Sequence, residues 1–280
     1  MTSPTPGNDP ADSAARNGRA EPGEPADTQA LGRGLPASAS ESDGSVVVRL
    51  LSYNVRSLRD DRAALVRVVR ACAPDVVCVQ EAPRFFRWRK KAAWLARDCG
   101  LVAVTGGQPA AGPLLLSSLR ARVVHSEDVL LPRTPGLHRR GFATATLEFG
   151  SVRLGVVSCH LSLDRAERQR QADALLRRVD GTGERYAVAA GDINEAPEGS
   201  SWQLLTGKLR DAHATVPWGG TFTSPAGEPL RRIDGVFVTP EVEVLGCGVP
   251  QPEDLPGLDP ADLAAASDHL PVLAALRLRG

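Results

Sequence analysis

An α+β sandwich with two sheets in its core is the fold predicted for this chain. Three observations carry the prediction. Strand patterns outnumber helical ones. Consecutive strands are sometimes adjacent and sometimes separated by a helix. No segment repeats. A doubly wound sheet would instead alternate strand and helix throughout. At 280 residues the chain is long enough for one large domain or two small ones.

Residues 1–44 are rich in Pro, Gly, Ser, Ala and acids and contain no aromatic residue. Such a segment buries too little apolar surface to offset the entropy of ordering, so a disordered tail is expected there, with the folded domain at 45–280. Val46–Tyr53 reads as the first strand. Arg59–Cys72 reads as a helix with its apolar side on Leu65, Val66, Val68, Val69 and Cys72, and Pro74 follows its end. Val76–Val79 is a continuously apolar strand leading to Gln80-Glu81. Phe85–Cys99 is a second helix, stopped by Gly100.

Strands follow at Leu101–Thr105, Pro113–Leu116 and Ala121–Ser126. Phe142–Phe149 and Val152–Cys159 form a hairpin turning at Gly150-Ser151. Arg165–Val179 is a helix, Tyr186–Ala190 a strand and Trp202–Leu205 a short helix. Ile233–Val238 and Leu270–Leu278 close the fold, with Leu263–Ala266 as a further apolar run.

The formal net charge is zero, which argues against a protein coated in positive charge to hold long nucleic acids, while leaving room for a local basic face. Five cysteines with no CxxC pair and mostly apolar neighbours read as small buried hydrophobes, against both a disulfide framework and a zinc site. No apolar signal core opens the chain and no run approaches a membrane span, so a cytoplasmic protein is the expectation.

Polar runs concentrate where apolar patterns stop. Cys159-His160-Leu161 follows Leu154–Val157, Gly191-Asp192-Ile193-Asn194 follows Tyr186–Ala190, and Ser267-Asp268-His269 follows Leu263–Ala266. Carboxylates, imidazoles and amides are costly inside a core, so their gathering at strand ends marks a site. With Asn54 and Glu81 upstream, the set has the chemistry for phosphate-ester hydrolysis with a divalent metal. Glu81 is a hard anionic oxygen ligand suited to Mg²⁺ or Mn²⁺. Asp192 and Asn194 are two apart in what should be extended chain, which puts both side chains on one face. One would accept a proton from water while the other donates its amide to a phosphate oxygen.

Tyr53-Asn54, Gln80-Glu81, His160-Leu161, Gly191-Asp192-Ile193-Asn194, Arg232-Ile233-Asp234 and Ser267-Asp268-His269 occur in the order of the endonuclease/exonuclease/phosphatase superfamily, and the chain resembles a compact bacterial member over about 46–278. The resemblance implies a four-layer α/β/β/α sandwich with two mixed sheets packed face to face. It implies Asp268 as a second carboxylate beside the metal, with Asn54 nearby, and Asp234 paired with His269. His269 would contact the scissile phosphate and handle a proton, His160 would be the second imidazole, and Arg140 would meet a phosphate oxygen. Glu127 and Asp128 are the candidates to orient His160. Both tyrosines lie in other motifs, and His160 places the chain with the deoxyribonuclease, sphingomyelinase and inositol-phosphate phosphatase branch. Ala111-Gly112-Pro113 stands where many relatives carry a Gly-Asn pair.

The expected substrate is a phosphate ester: nucleic acid, phospholipid head group or small metabolite. Arg84–Arg97 adds six basic residues and no acid before Asp98, with Phe85, Phe86, Trp88 and Trp94 among them. It reads either as a contact for a polyanion or an anionic membrane, or as an amphipathic helix with its aromatics inward. A catalytically inactive phosphate-binding module and a membrane-surface phospholipase are the alternatives. Nothing in the sequence marks a stable protein partner.

Overall fold

A computed structural model describes residues 1–2 and 34–280. The elements begin with β1 (Ala39–Ser40), β2 (Val46–Asn54), α1 (Arg62–Cys72), β3 (Val76–Gln80) and α2 (Trp88–Asp98). Four antiparallel-paired strands follow, β4 (Val102–Gly106), β5 (Leu114–Ser117), β6 (Arg122–Leu130) and β7 (Gly141–Phe149). Then come β8 (Val152–His160), α3 (Arg165–Asp180), β9 (Tyr186–Asp192), α4 (Ser200–Thr206) and β10 (Arg210–Asp211). The chain closes with α5 (Ala212–Thr215), β11 (Asp234–Val238), β12 (Glu243–Gly248), α6 (Pro260–Ala266) and β13 (Val272–Leu278).

The strands form two mixed sheets. One runs β12-β13-β2-β3-β5-β4, with β1 on β2, and the other runs β10-β11-β9-β8-β7-β6. Among the described residues each has one parallel pair, β2–β3 and β8–β9, and each of those connections carries a helix, α1 and α3. Side-chain alternation then assigns the layers. Val46, Val48 and Leu50 of β2 meet Val152, Leu154 and Val156 of β8 and Val188 and Ala190 of β9 between the sheets. Leu51 and Tyr53 turn outward to α1, α2 and α6, while Val157, Ala187 and Ala189 turn outward to α3 and α4. Strands covered on both faces must be apolar at every position, which is why they read as continuous runs. The result is the expected α/β/β/α sandwich.

Several boundaries moved for identifiable reasons. Helix α1 starts at Arg62 because the Asp61 carboxylate accepts hydrogen bonds from the Ala63 and Ala64 amides. Phe85 and Phe86 are outside α2, and Arg87 takes the left-handed conformation before it. Leu263–Ala266 belongs to a helix, not a strand, capped by Asp259 with Pro260 in its first turn. Strand β12 was not expected, since its glycines hide the pattern. All five cysteines are free and buried. No helix among the described residues is long and apolar enough to cross a membrane.

The expected tail of 1–44 differs over its last eleven residues. Ala39–Ser40 pairs with Val46–Val47, Leu35 is buried against Gly246 of β12, and the Ser38 hydroxyl donates to the buried Asp75 carboxylate. Glu41 pairs with Arg277 of β13. Local polar composition hid a segment that is held by strand pairing and one anchored Leu. Residues 3–33 lie outside the described residues.

Deleting 1–33, whose composition supplies little apolar surface to bury, should leave the thermal unfolding midpoint within a degree or two of the full chain. Deleting 1–44 should lower it by several degrees, as loss of a buried Leu and a partner of Asp75 costs about 2 kcal/mol. Scanning calorimetry of the two truncations checks this, and identical midpoints would contradict it.

Candidate active site

The polar strand ends of both sheets meet at one edge of the sandwich. Parallel pairing sets His160 of β8 opposite Asp192 of β9, and antiparallel pairing sets Asp234 of β11 opposite Asp192 on its other side. Asn54 ends β2 in the other sheet and reaches across: its amide donates to Asp192 Oδ2 at 3.0 Å. The Ser158 hydroxyl donates to the Val79 carbonyl at 3.2 Å, so the sheets are tied just beneath the site. The Ser267 hydroxyl donates to the Asn54 carbonyl at 2.7 Å and fixes the loop that delivers His269.

Asp192 is the hub. Its Oδ2 lies 3.4 Å from His160 Nε2 and 3.8 Å from His269 Nε2, and its Oδ1 accepts the Asn194 backbone N–H at 2.9 Å. His269 Nδ1 is 2.8 Å from Asp234 Oδ2. Thr223 steadies this pair: its hydroxyl oxygen receives the Ile233 and Asp234 amides, and its carbonyl receives the Leu270 amide. Arg232 does not face the site. It grips the Asp211 carboxylate with both terminal nitrogens and stacks on Trp202, holding β11 in place.

Burial and charge separate the protonation states. Burial pushes His160 well below the usual imidazole range, and Arg140 next to it acts in the same direction. Burial pulls His269 down too, but the Asp234 charge and hydrogen bond, with Asp192 behind them, overcome it and hold His269 at about 9. Burial and the neighbouring Asp234 charge raise Asp192 to about 7, against the pull of His269 and the Asn194 and Asn54 hydrogen bonds. The array thus contains a neutral imidazole, an imidazolium and a carboxyl group poised near neutrality.

The site opens into a cavity of about 670 Å³ whose lining includes Glu81, Arg140, His160, Asp192, Asn194 and His269. Arg59, Arg62, Arg84, Lys91 and the exposed His138 also border it. Arg140 points in with its Nε buried and without a partner among the described residues. Glu81 holds a left-handed backbone (φ 52°), and its carbonyl accepts the Ser57 amide at 2.9 Å. Such a conformation is uncommon for a non-glycine residue and is stored where position matters.

Not every expected residue arrived as expected. Asn194 is not in extended chain; it is left-handed (φ 56°), and its amide donates to the Leu161 carbonyl at 2.9 Å. It shares the cavity with Asp192 because the Asp192 carboxylate caps the turn, not because of strand alternation. Asp268 is half-exposed, lies 3.2 Å from Arg56 Nε, and is not in the cavity lining. Glu127 pairs with Arg178, and Asp128 accepts from the Thr105 hydroxyl, so neither is placed to orient His160, whose Nε2 lies 3.4 Å from Asp192 Oδ2. Sequence reasoning missed His138 and Thr223, which are single residues in loops with no pattern around them.

The donors suit a hard divalent cation at Glu81. This carboxylate has no ion-pair partner within 4.0 Å among the described residues, although cations surround it, and open cavity beside it leaves room for the waters that Mg²⁺ retains. Asp192, Asp234 and His269 also cluster within 4.8 Å. There the 2.8 Å Asp234–His269 bond already joins two of the three facing side chains.

A family model described as Endonuclease/Exonuclease/phosphatase family matches residues 51–269. Among solved structures, an endonuclease/exonuclease/phosphatase from Bacteroides vulgatus is 21% identical, with a TM-score of 0.67, covering 82% of this chain and 98% of that one. The mannosyl-6-phosphatase of Bacteroides thetaiotaomicron VPI-5482 is 19% identical, with a TM-score of 0.64, covering 82% and 99%. An endonuclease/exonuclease/phosphatase from Beutenbergia cavernae is 26% identical, with a TM-score of 0.62, covering 84% and 72%. No curated protein sequence matches the chain.

The charge on His269 gives a pH test. A folded-state value near 9, above the unfolded 6.5, means its stabilisation is full below pH 6.5 and disappears as pH rises through 9. The loss of thermal stability in His269→Ala should therefore be larger at pH 6 than at pH 10. Melting curves of both proteins at the two pH values measure it, and an equal loss at both would contradict the imidazolium assignment.

Proposed function

The chain belongs to the endonuclease/exonuclease/phosphatase family, and from that membership we propose that it is a divalent-metal-dependent phosphoester hydrolase that prefers phosphodiesters. One observation carries the reading: His160 and His269 both face the Asp192 carboxylate, with Asp234 bonded behind His269, at a cavity bordered by cations.

Each residue has a chemical part. Asp192 takes the proton from the attacking water, which needs a base with proton affinity near the working pH. His269 gives Nδ1–H to Asp234 and presents Nε2–H to the phosphate, where it meets the charge that grows in the transition state. Neutral His160 and Arg140 line the same cavity, and Arg140 suits a non-bridging oxygen bidentately. Asn54 holds Asp192 in its rotamer. Glu81, with Asn54 nearby, would hold Mg²⁺ or Mn²⁺, which supplies charge neutralisation on the phosphate and the leaving oxygen. Asp268 would act from outside the cavity through Arg56.

A second reading has its own support. Phe85 and Phe86 are 78% and 77% exposed, which favours the surface-contact alternative for this pair over the inward-packed one, and Arg84 and Arg87 sit over their rings. Adjacent exposed Phe and Arg suit an anionic membrane surface, as in a phospholipase. Co-sedimentation with phosphatidylserine vesicles, lost in Phe85→Ala/Phe86→Ala, would favour that reading.

The deciding test is turnover of a chromogenic diester with Mg²⁺ or Mn²⁺, alongside DNA, RNA, sphingomyelin and inositol phosphates. The wild type should turn over the diester, and His269→Ala should lose roughly 10² or more. Asp234→Asn should fall similarly, and the double variant little further, because the two act as one unit. Glu81→Gln should weaken Mn²⁺ binding by calorimetry. No turnover with any metal, or full additivity in the double variant, would favour an inactive binding module.

A further inference from the structure

The cavity holds more positive charge than one phosphate needs. Arg84 and Arg140 stand near His160 and lower its proton affinity. Arg59, Arg62 and Lys91 line the same cavity from the turn before α1, the start of α1 and the first turn of α2. Arg62 joins the two helices: its Nε donates to the Leu58 carbonyl at 3.1 Å, and its guanidinium lies 5.8 Å from the Trp94 ring. Lys91 precedes Trp94 by three residues, so both lie on one face of α2.

These cations lack the usual compensation. Among the described residues, none of Arg59, Arg62, Arg84, Lys91 and Arg140 has a carboxylate within 4.0 Å, whereas Arg56 beside them is paired with Asp60 and Asp268. Arg67, Arg120, Arg168 and Arg232 are likewise paired. The chain as a whole has zero formal charge. Clustering unpaired cations in a neutral protein costs self-repulsion, which an anionic ligand removes. The first turn of α2 adds to the positive field, since it contains no acid.

We propose that Arg59, Arg62 and Lys91 form a second anion subsite that takes a phosphate of the substrate other than the one hydrolysed. The subsite makes substrates bearing two or more phosphates preferred over an isolated diester. This inference rests on the hydrolase reading of the cavity. A nucleotide chain and a polyphosphorylated cyclitol both supply the second phosphate, and the two arms of the turnover test separate them.

Binding is measured first, without metal, on the full chain by calorimetry. Inorganic tripolyphosphate should bind about tenfold or more tighter than orthophosphate. Arg59→Ala/Arg62→Ala/Lys91→Ala should abolish that preference, while Arg59→Lys/Arg62→Lys should keep most of it. Circular dichroism confirms the fold of each variant. In turnover, the ratio of kcat/KM for 5′-phosphorylated pentathymidylate, or for inositol trisphosphate, to that for bis(p-nitrophenyl) phosphate should fall about tenfold in the triple Ala variant. A fall in the first ratio assigns a nucleotide chain and in the second a cyclitol. Equal wild-type affinity for the two inorganic anions, or an unchanged preference in the triple variant, overturns the subsite. Tripolyphosphate preference without any diester turnover leaves the subsite standing and removes the hydrolase reading.

Discussion

Two buried carboxylates on neighbouring strands set the terms for everything around them. The β9–β11 register puts Asp192 directly opposite Asp234, and both are almost fully buried. Like charges this close in low dielectric are untenable without compensation. The compensation comes from His269 on Asp234 and from Asn54 and the Asn194 amide on Asp192. Removing any one partner leaves a buried charge exposed to its neighbour, so the site is coupled to the stability of the sheet edges that build it.

The same constraint explains backbone choices far from chemistry. A Cβ on Gly191 would lie 1.9 Å from the Cys159 carbonyl oxygen, so only glycine lets β9 approach β8 closely enough to set Asp192 beside His160. Thr223, Ser267 and Ser158 spend their hydroxyls on backbone atoms that bring strands of both sheets to one edge. The Arg232–Asp211–Trp202 group locks β11 from behind. Site geometry is thus distributed over many residues that never meet a substrate.

Much of this was legible in the sequence, because strand ends and motif order are local. The two-sheet sandwich followed from the number and order of strand and helix patterns, and its four layers from the family resemblance; continuous apolar runs such as Val76–Val79 are strands covered on both faces. The Asp234–His269 pair followed from family resemblance and not from spacing. What stayed hidden depends on tertiary context. The turn at Asn194 is set by a carboxylate cap, Asp268 is claimed by Arg56, and the β1 pairing rests on one buried Leu in polar surroundings. The unpaired state of the cavity cations is a property of where acids are absent in space, and no sequence window contains it.

The central claim is that two imidazoles flanking one carboxylate differ in charge, one neutral and one cationic. Nitrogen-15 NMR of the histidine side chains at pH 7.5 reads this directly. The account predicts His269 doubly protonated, with its Nδ1–H in a strong hydrogen bond, and His160 neutral. A neutral His269 at that pH, or both rings titrating together near 6.5, would contradict it.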